Sequence, residues 1–187
     1  MVERCLGRRY AWRVSTVWPS SVERVAEFLR AAGAEARLEE LSGDTATAVD
    51  AANAAGCELS QIVKSLVLLC DGDPVLALVP GDRRLDVEKA RRASGAATAR
   101  LAKADEVQEL TGFAPGSVAP FPLPAVPRVV IERTLLAHST VWAGGGSSRH
   151  MVRLQPAELV RLTRATAMDV VEEPEYHSQP DTDGKEP

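Results

Sequence analysis

Two apolar runs separated by a four-residue polar turn restrict what this chain can fold into. Gln61–Cys70 (QIVKSLVLLC) and Val75–Val79 (VLALV) are dense in β-branched and aliphatic side chains, and Asp71-Gly72-Asp73-Pro74 stands between them. Runs of this length bounded by turn residues predict two antiparallel strands joined by a short loop. Gly81-Asp82 closes the second strand.

Helical spacing appears on both sides of this hairpin. Val22, Val25, Ala26, Phe28, Leu29 and Ala32 recur on one helix face, with Ser20 or Ser21 as the expected cap and Gly33 as the stop. Ala36–Leu41 reads as a short strand. Thr45–Gly56 (TATAVDAANAAG) reads as an Ala-rich helix capped by Thr45 and ended by Gly56. Leu85–Ala93 and Asp105–Leu110 read as short helices, and the acid-first, base-last order of the former suits the helix dipole. Further strands are expected at Arg128–Ile131, Thr140–Ala143 and His150–Leu154, with a turn-like or helical stretch at Glu132–Ser139 and a flexible turn at Gly144–Ser148. A helix over Pro156–Arg164 and a short strand at Val170-Val171 complete the pattern. The fold class is α+β: a central mixed, largely antiparallel sheet or partial barrel with helices around it. Residues 21–171 form the domain, 1–20 an N-terminal extension, and 172–187 an acidic tail whose composition predicts disorder.

Composition excludes some roles. No stretch of 18 apolar residues exists, so no membrane partner is expected, and the N-terminus lacks the apolar core of a secretory signal. A cytoplasmic location follows as the expectation. Cys5, Cys57 and Cys70 form no CxxC pair and no zinc pattern with His138, His150 or His177, so no metal or other cofactor is expected. The net charge of −4 is unevenly placed. Six acids and only Lys185 from Glu172 onward give the tail −5, leaving +1 on the remainder. Arg83–Lys103 carries seven bases against Asp86 and Glu88, a density that can meet phosphates or simply be a solvated helix face.

Two features carry chemistry. Lys64 lies within an apolar strand, on the same face as Ile62, Leu66 and Leu68. An ammonium there either reaches the rim or is held for an anionic ligand or a developing oxyanion. The loop Gly116-Ser117-Val118-Ala119-Pro120 can aim consecutive backbone amides at a carbonyl or carboxyl oxygen, or serve as an ordinary connection. His138 and Ser139 are sequence neighbours and announce no nucleophile–base pair. Gly144–Ser148 lacks the GK[ST] of a P-loop.

Three segments in order give a resemblance. TATAVDAANAAGCELSQIVKSLV is similar to an Ala-rich helix leading into a Gln-Ile-x-Lys-[Ser/Thr]-Leu strand. PVLALVPGDRRLD is similar to a strand ending in Gly-Asp, and TGFAPGSVAPF to a Thr-Gly-aromatic segment entering a Gly-x-x-x-Pro loop. Together they resemble the YbaK/ProX aminoacyl-tRNA editing domains and the insertion domain of bacterial prolyl-tRNA synthetases, over roughly residues 22–171. The resemblance implies a trans-acting deacylase that removes a small amino acid (Ala, Cys, Ser or Thr) from a mischarged tRNA, such as tRNA(Pro). The alternative is a non-catalytic module of the same fold that binds aminoacyl-tRNA or a nucleotide. The resemblance implies Lys64 as the catalytic residue. Ser65, Gly81, Asp82, Gly116, Ser117, Val118, Ala119, Pro120 and Gly144 would form the substrate-binding set, with neither metal nor side-chain nucleophile. The partners implied are the 3′ end of the tRNA and an aminoacyl-tRNA synthetase, for a monomer or weak homodimer. Ala119, Pro122 and Glu132 depart from the family pattern at positions expected near the pocket.

Overall fold

The computed structural model describes residues 18–173 apart from Asp44 and Ala46. The readings made for most of the N-terminal extension and most of the acidic tail, and for Cys5 and His177, lie outside the described residues.

Five helices and eight strands are present among them: α1 (Ser20–Ala31), β1 (Ala36–Glu40), α2 (Ala48–Ala55), β2 (Ile62–Cys70), β3 (Asp73–Pro80), α3 (Val87–Ser94), β4 (Ala99–Leu101), α4 (Ala104–Thr111), β5 (Arg128–Glu132), β6 (Val141–Ser147), β7 (His150–Leu154), α5 (Pro156–Thr163) and β8 (Thr166–Met168). The strands form one mixed sheet in the order β1-β7-β6-β2-β3-β5-β8, with β4 attached to the end of β2. β2 and β3 make the expected hairpin at the centre, paired from Val63↔Pro80 to Cys70↔Asp73. Both faces of this hairpin are covered, which is why its strands read as nearly continuous apolar runs. Val63, Val67, Leu76 and Leu78 join α1 in the largest core cluster, while Leu68, Val75, Ala77 and Val79 pack with Ala90 of α3. A third cluster places Ala51 and Ala52 of α2 on Ile62, Trp142 and Met151.

Several local expectations are corrected. The cap of α1 is Pro19 rather than Ser20 or Ser21, since its φ of −52° already suits a helix start. The cap of α2 is Thr47 rather than Thr45: its hydroxyl accepts from the N–H of Asp50 at 3.1 Å. Thr45 instead bonds Ser148 O through its own N–H and hydroxyl, at 2.7 and 2.8 Å. Gly144–Ser147, expected as a flexible turn, is strand. An added Cβ at Gly144 would stand 2.6 Å from Val118 O, and one at Gly145 2.7 Å from His150 O, so these glycines permit close backbone approach. The last strand is β8, which lies parallel to β5; Val171 makes only an isolated bridge to Leu85. The three-residue β4 is too short to carry a sequence pattern.

Glu132, expected near the pocket, is 1% exposed and lies elsewhere. Its carboxylate accepts from Val170 N at 2.8 Å and Thr134 N at 3.3 Å. It thereby caps the 3₁₀ turn Arg133–Ala137 and anchors the chain leaving β8. Leaving buried donors unpaired costs about 1–3 kcal/mol each. Glu132→Ala is therefore expected to lower unfolding free energy by about 2 kcal/mol or more, read as a shift in the urea midpoint at neutral pH. An unchanged midpoint would show that the carboxylate adds nothing to stability.

Candidate functional site

The site begins with an interruption in the sheet. On one side β2 pairs along its whole length with β3. On the other, parallel β6 pairs only with Ile62 and Val63, and β4 only with Leu68–Cys70. The Gly81 N–H bonds Ile62 O, and the Ala102 N–H bonds Val67 O. By ladder alternation, even-numbered residues of β2 therefore direct their backbone groups to β3 and odd-numbered ones to the opposite side. The N–H and C=O of Ser65 consequently point into the gap between β6 and β4. The Ser65 hydroxyl is buried and has no hydrogen-bond partner among the described residues.

A cavity of about 260 Å³ opens at this gap. Lys64, Ser65, Gly116, Val118 and Gly144, all named from the sequence, line it. Thr45, Thr47, Ala48 and Ala51 at the start of α2 line another wall, with Met151 and Ser147 from the β7–β6 side. Gly81, Asp82, Ser117, Ala119 and Pro120 are not among the lining residues, and neither are Pro122 and Glu132. Ala119 is fully buried in the core.

Each position has a physical reason. Lys64 donates to the carbonyls of Gly81, at 3.3 Å, and of Arg83. No carboxylate lies within 4.0 Å of it among the described residues. Two of its three N–H bonds are thus used, and one remains for a ligand. Burial pushes its pKa below the ordinary lysine value, while nearby Asp82 opposes that shift and Arg84 adds to it. Gly81 and Asp82 hold and tune the lysine from behind. Gly81 must be glycine, because a Cβ there would meet Leu59 O at 2.4 Å. In the loop, Gly116 adopts φ +82°, and the Ser117 N–H is committed to Ala114 O at 2.9 Å. The amides of Gly116 and Val118 make no backbone bond among the described residues.

The sequence did not announce Ser147 and His150. The Ser147 hydroxyl lies 2.7 Å from His150 Nδ1 and also accepts from Arg149 N at 3.2 Å. The other ring nitrogen, His150 Nε2, is buried without a hydrogen-bond partner among the described residues. Three-residue spacing across a glycine-rich bulge gives no pattern that sequence periodicity can detect. Among the described residues no group of three His, Cys, Asp or Glu is arranged to hold a metal ion. Nor is any described helix long and apolar enough to cross a membrane.

Known proteins resemble the chain in both sequence and structure. The aminoacyl-tRNA editing domain pattern matches residues 42–162. The uncharacterized protein YwhH of Bacillus subtilis is 37% identical over 123 residues, spanning 65% of this chain and 78% of that one. A proline–tRNA ligase of Citrifermentans bemidjiense is 35% identical over 103 residues; the match spans 54% of this chain but 18% of the ligase. Among solved structures, a candidate trans-editing enzyme for prolyl-tRNA synthetase superposes with a TM-score of 0.78 at 40% identity, covering 83% of this chain and 99% of that one.

Burial holds the His150 imidazole below its ordinary pKa of 6.5, Arg149 pushes the same way, and Glu40 opposes. The ring is therefore neutral in the folded protein at pH 7, and the unfolded chain binds its proton first on acidification. Unfolding free energy is expected to be unaffected by this group above pH 6.5 and to decline as pH falls below 6.5, until the folded ring also titrates. Urea midpoints measured from neutral to acidic pH should show that decline, and His150→Gln should flatten it.

Proposed function

The chain belongs to the aminoacyl-tRNA editing domain family, and from that premise we propose that it is a hydrolase that releases a small amino acid from a mischarged tRNA in trans. Residues 21–171 are the editing unit of this reading, and the cytoplasm, where tRNA is charged, is its place of work. One observation carries the proposal: a strand-borne lysine and the Gly116–Pro120 loop, far apart in sequence, border one cavity at the break in the sheet.

The cavity's size supports a small acyl group. Sites for drug-sized ligands span about 300–1,000 Å³, and this one is 260 Å³. Ala48, Ala51, Ile62 and Met151 supply apolar wall for a short side chain. The ribose and base then lie at the mouth. Water adds to the ester carbonyl, the acyl C–O bond breaks, and the ribose oxygen leaves with a proton. The free amino acid and the intact tRNA terminus are the products. In this reading the Gly116 and Val118 amides, which make no backbone bond among the described residues, bond the carbonyl oxygen as it gains charge, and the remaining Lys64 proton serves the same charge or the adjacent phosphate. An aminoacyl ester is already activated, so positioning and charge stabilisation supply the rate without a nucleophilic side chain. The match to proline–tRNA ligases and to the trans-editing structure favours tRNA(Pro) as the carrier and a prolyl-tRNA synthetase as the neighbouring enzyme.

Incubation with Ala-, Cys-, Ser- and Thr-charged tRNA should release amino acid from at least one. Lys64→Ala should lower that rate by about 10²-fold, the usual cost of losing one charge-stabilising donor. Intact esters across the whole panel at micromolar protein would refute the enzymatic reading, and saturable binding without turnover would establish a binding module instead.

A further inference from the structure

The register of the sheet places two arginines directly opposite each other. Arg37 of β1 pairs with Arg153 of β7, and Arg153 pairs on its other side with Trp142 of β6, which pairs with Ile62 of β2. Residues directly opposite share a face, so Arg37, Arg153, Trp142 and Ile62 form one row across it. Ile62 lies in the wall of the candidate site and precedes Lys64 by two residues. The Arg153 guanidinium stands 5.9 Å from the Trp142 ring centroid. Like charges directly opposite in a ladder are destabilising, yet neither arginine has a carboxylate within 4.0 Å among the described residues. Both border a depression of about 510 Å³, which Thr140 and Gln155 also line.

Of the acids around the depression, Glu40 is paired elsewhere, whereas the Glu35 and Glu39 carboxylates make no ion pair among the described residues. Glu35 lines the same depression, and its N–H is bonded to Glu158, which is itself held by Arg161 at 2.7 Å. Glu39 lies two residues along β1 on the same face, opposite Met151. Glu40 pairs with Arg149 at 3.4 Å. The basic segment Arg83–Lys103 offers less than its sequence suggests. Lys89 is bound to Asp169 and Glu173, Arg91 to Glu88, and Arg100 to Glu106, while Arg83 stands 3.8 Å from Asp82.

We infer that the Arg37–Arg153 pair binds a backbone phosphate of the RNA strand whose 3′ end enters the cavity beside Lys64. The inference rests on the proposed function for the identity of the strand. Two arginines on adjacent strands that border one depression suit a phosphate, which can accept from both. Two strand spacings of about 4.8 Å and two residues of about 3.3 Å separate Arg153 from Lys64, or roughly 12 Å. At about 3.4 Å per nucleotide of stacked strand, the phosphate belongs to a nucleotide roughly three or four from the acylated end. Arg37 and Arg153 are binding residues in this scheme and touch no reacting atom.

The test compares full-length protein with the variants Arg37→Ala/Arg153→Ala and Arg37→Lys/Arg153→Lys. Fluorescence anisotropy with labelled uncharged tRNA is expected to show about a tenfold or larger rise in Kd for the alanine pair near 0.1 M salt. The log–log salt slope should shrink by about 0.7 for each single-strand phosphate that the variant no longer neutralises. The lysine pair, which keeps the charge, should fall between it and the unaltered protein. Hydrolysis of an alanyl ester of adenosine, which ends before this phosphate, should proceed at the unaltered rate. The thermal midpoint of the alanine pair should match or exceed the parent's, since a like-charge contact is relieved, and that of the lysine pair should match it. Unaltered affinity and salt slope in the alanine pair would overturn the inference while leaving the deacylase reading intact, and slower hydrolysis of the short ester would overturn it as well. A protein that cleaves no mischarged tRNA but still needs both arginines to bind it would refute the enzymatic reading and uphold the phosphate site.

Discussion

The candidate site depends on β6 parting from β2 after two residues. A strand that stayed paired would consume the backbone groups of Ser65 and close the sheet where the cavity now opens. The parting has a local cause. Gly144 lies so close to Val118 O that any side chain would collide with it, so the Gly116–Pro120 loop occupies space beside β6. Gly146, at φ +96°, and the register shift between Gly144 and Ser147 bend the strand further. The glycine run works as packing clearance. It lets one loop lie against one strand and thereby creates an opening in an otherwise continuous sheet.

Within that opening the lysine is under tension between two requirements. Burial disfavours its charge, and the carbonyls of Gly81 and Arg83 favour the ammonium because only a protonated amine offers three donors. A carboxylate partner would have satisfied the charge more strongly but would also have competed with an anionic ligand. Carbonyl dipoles hold the amine in place and leave its net charge available. The glycine at position 81 follows from the same design: the turn that presents both carbonyls must pass against Leu59, where no Cβ fits.

How much of this is legible in the sequence differs by element. The β2–β3 hairpin is fully legible, because its apolar runs and the turn between them are local and both faces are buried. Lys64 stands out because a charge inside such a run is locally anomalous, and the Gly116–Pro120 loop because glycine and proline punctuate it. Gly144–Ser147 reads as a turn yet folds as strand, since the same glycine composition serves flexibility or close packing and only the partner across the sheet decides. Thr45 and Thr47 are two residues apart and chemically alike, so the choice of cap is settled by the tertiary bond from Thr45 to Ser148. Glu132 cannot be placed from sequence because its partners, Thr134 and Val170, are backbone amides that leave no mark in side-chain patterning. The Ser147–His150 contact forms across a bulge, and a bulge has no period.

Charge shows the same limit in a form that bears on recognition. Counted along the chain, Arg83–Lys103 gathers seven bases, whereas Arg37 and Arg153 are unremarkable and 116 positions apart. Folding reverses their standing. Most cations of the dense stretch acquire carboxylate partners, several of them exposed pairs that contribute little to stability but do neutralise the local field. The two isolated arginines are brought into direct opposition by the β1–β7 register, with no such relief. What attracts a polyanion is the charge left over after internal pairing, so a domain of acidic overall composition can still present a compact cationic face. The register of three strand pairings puts Arg37 and Arg153 in one row with Ile62 of the cavity wall, so the same backbone pairings fix the place of the charge and the place of the opening.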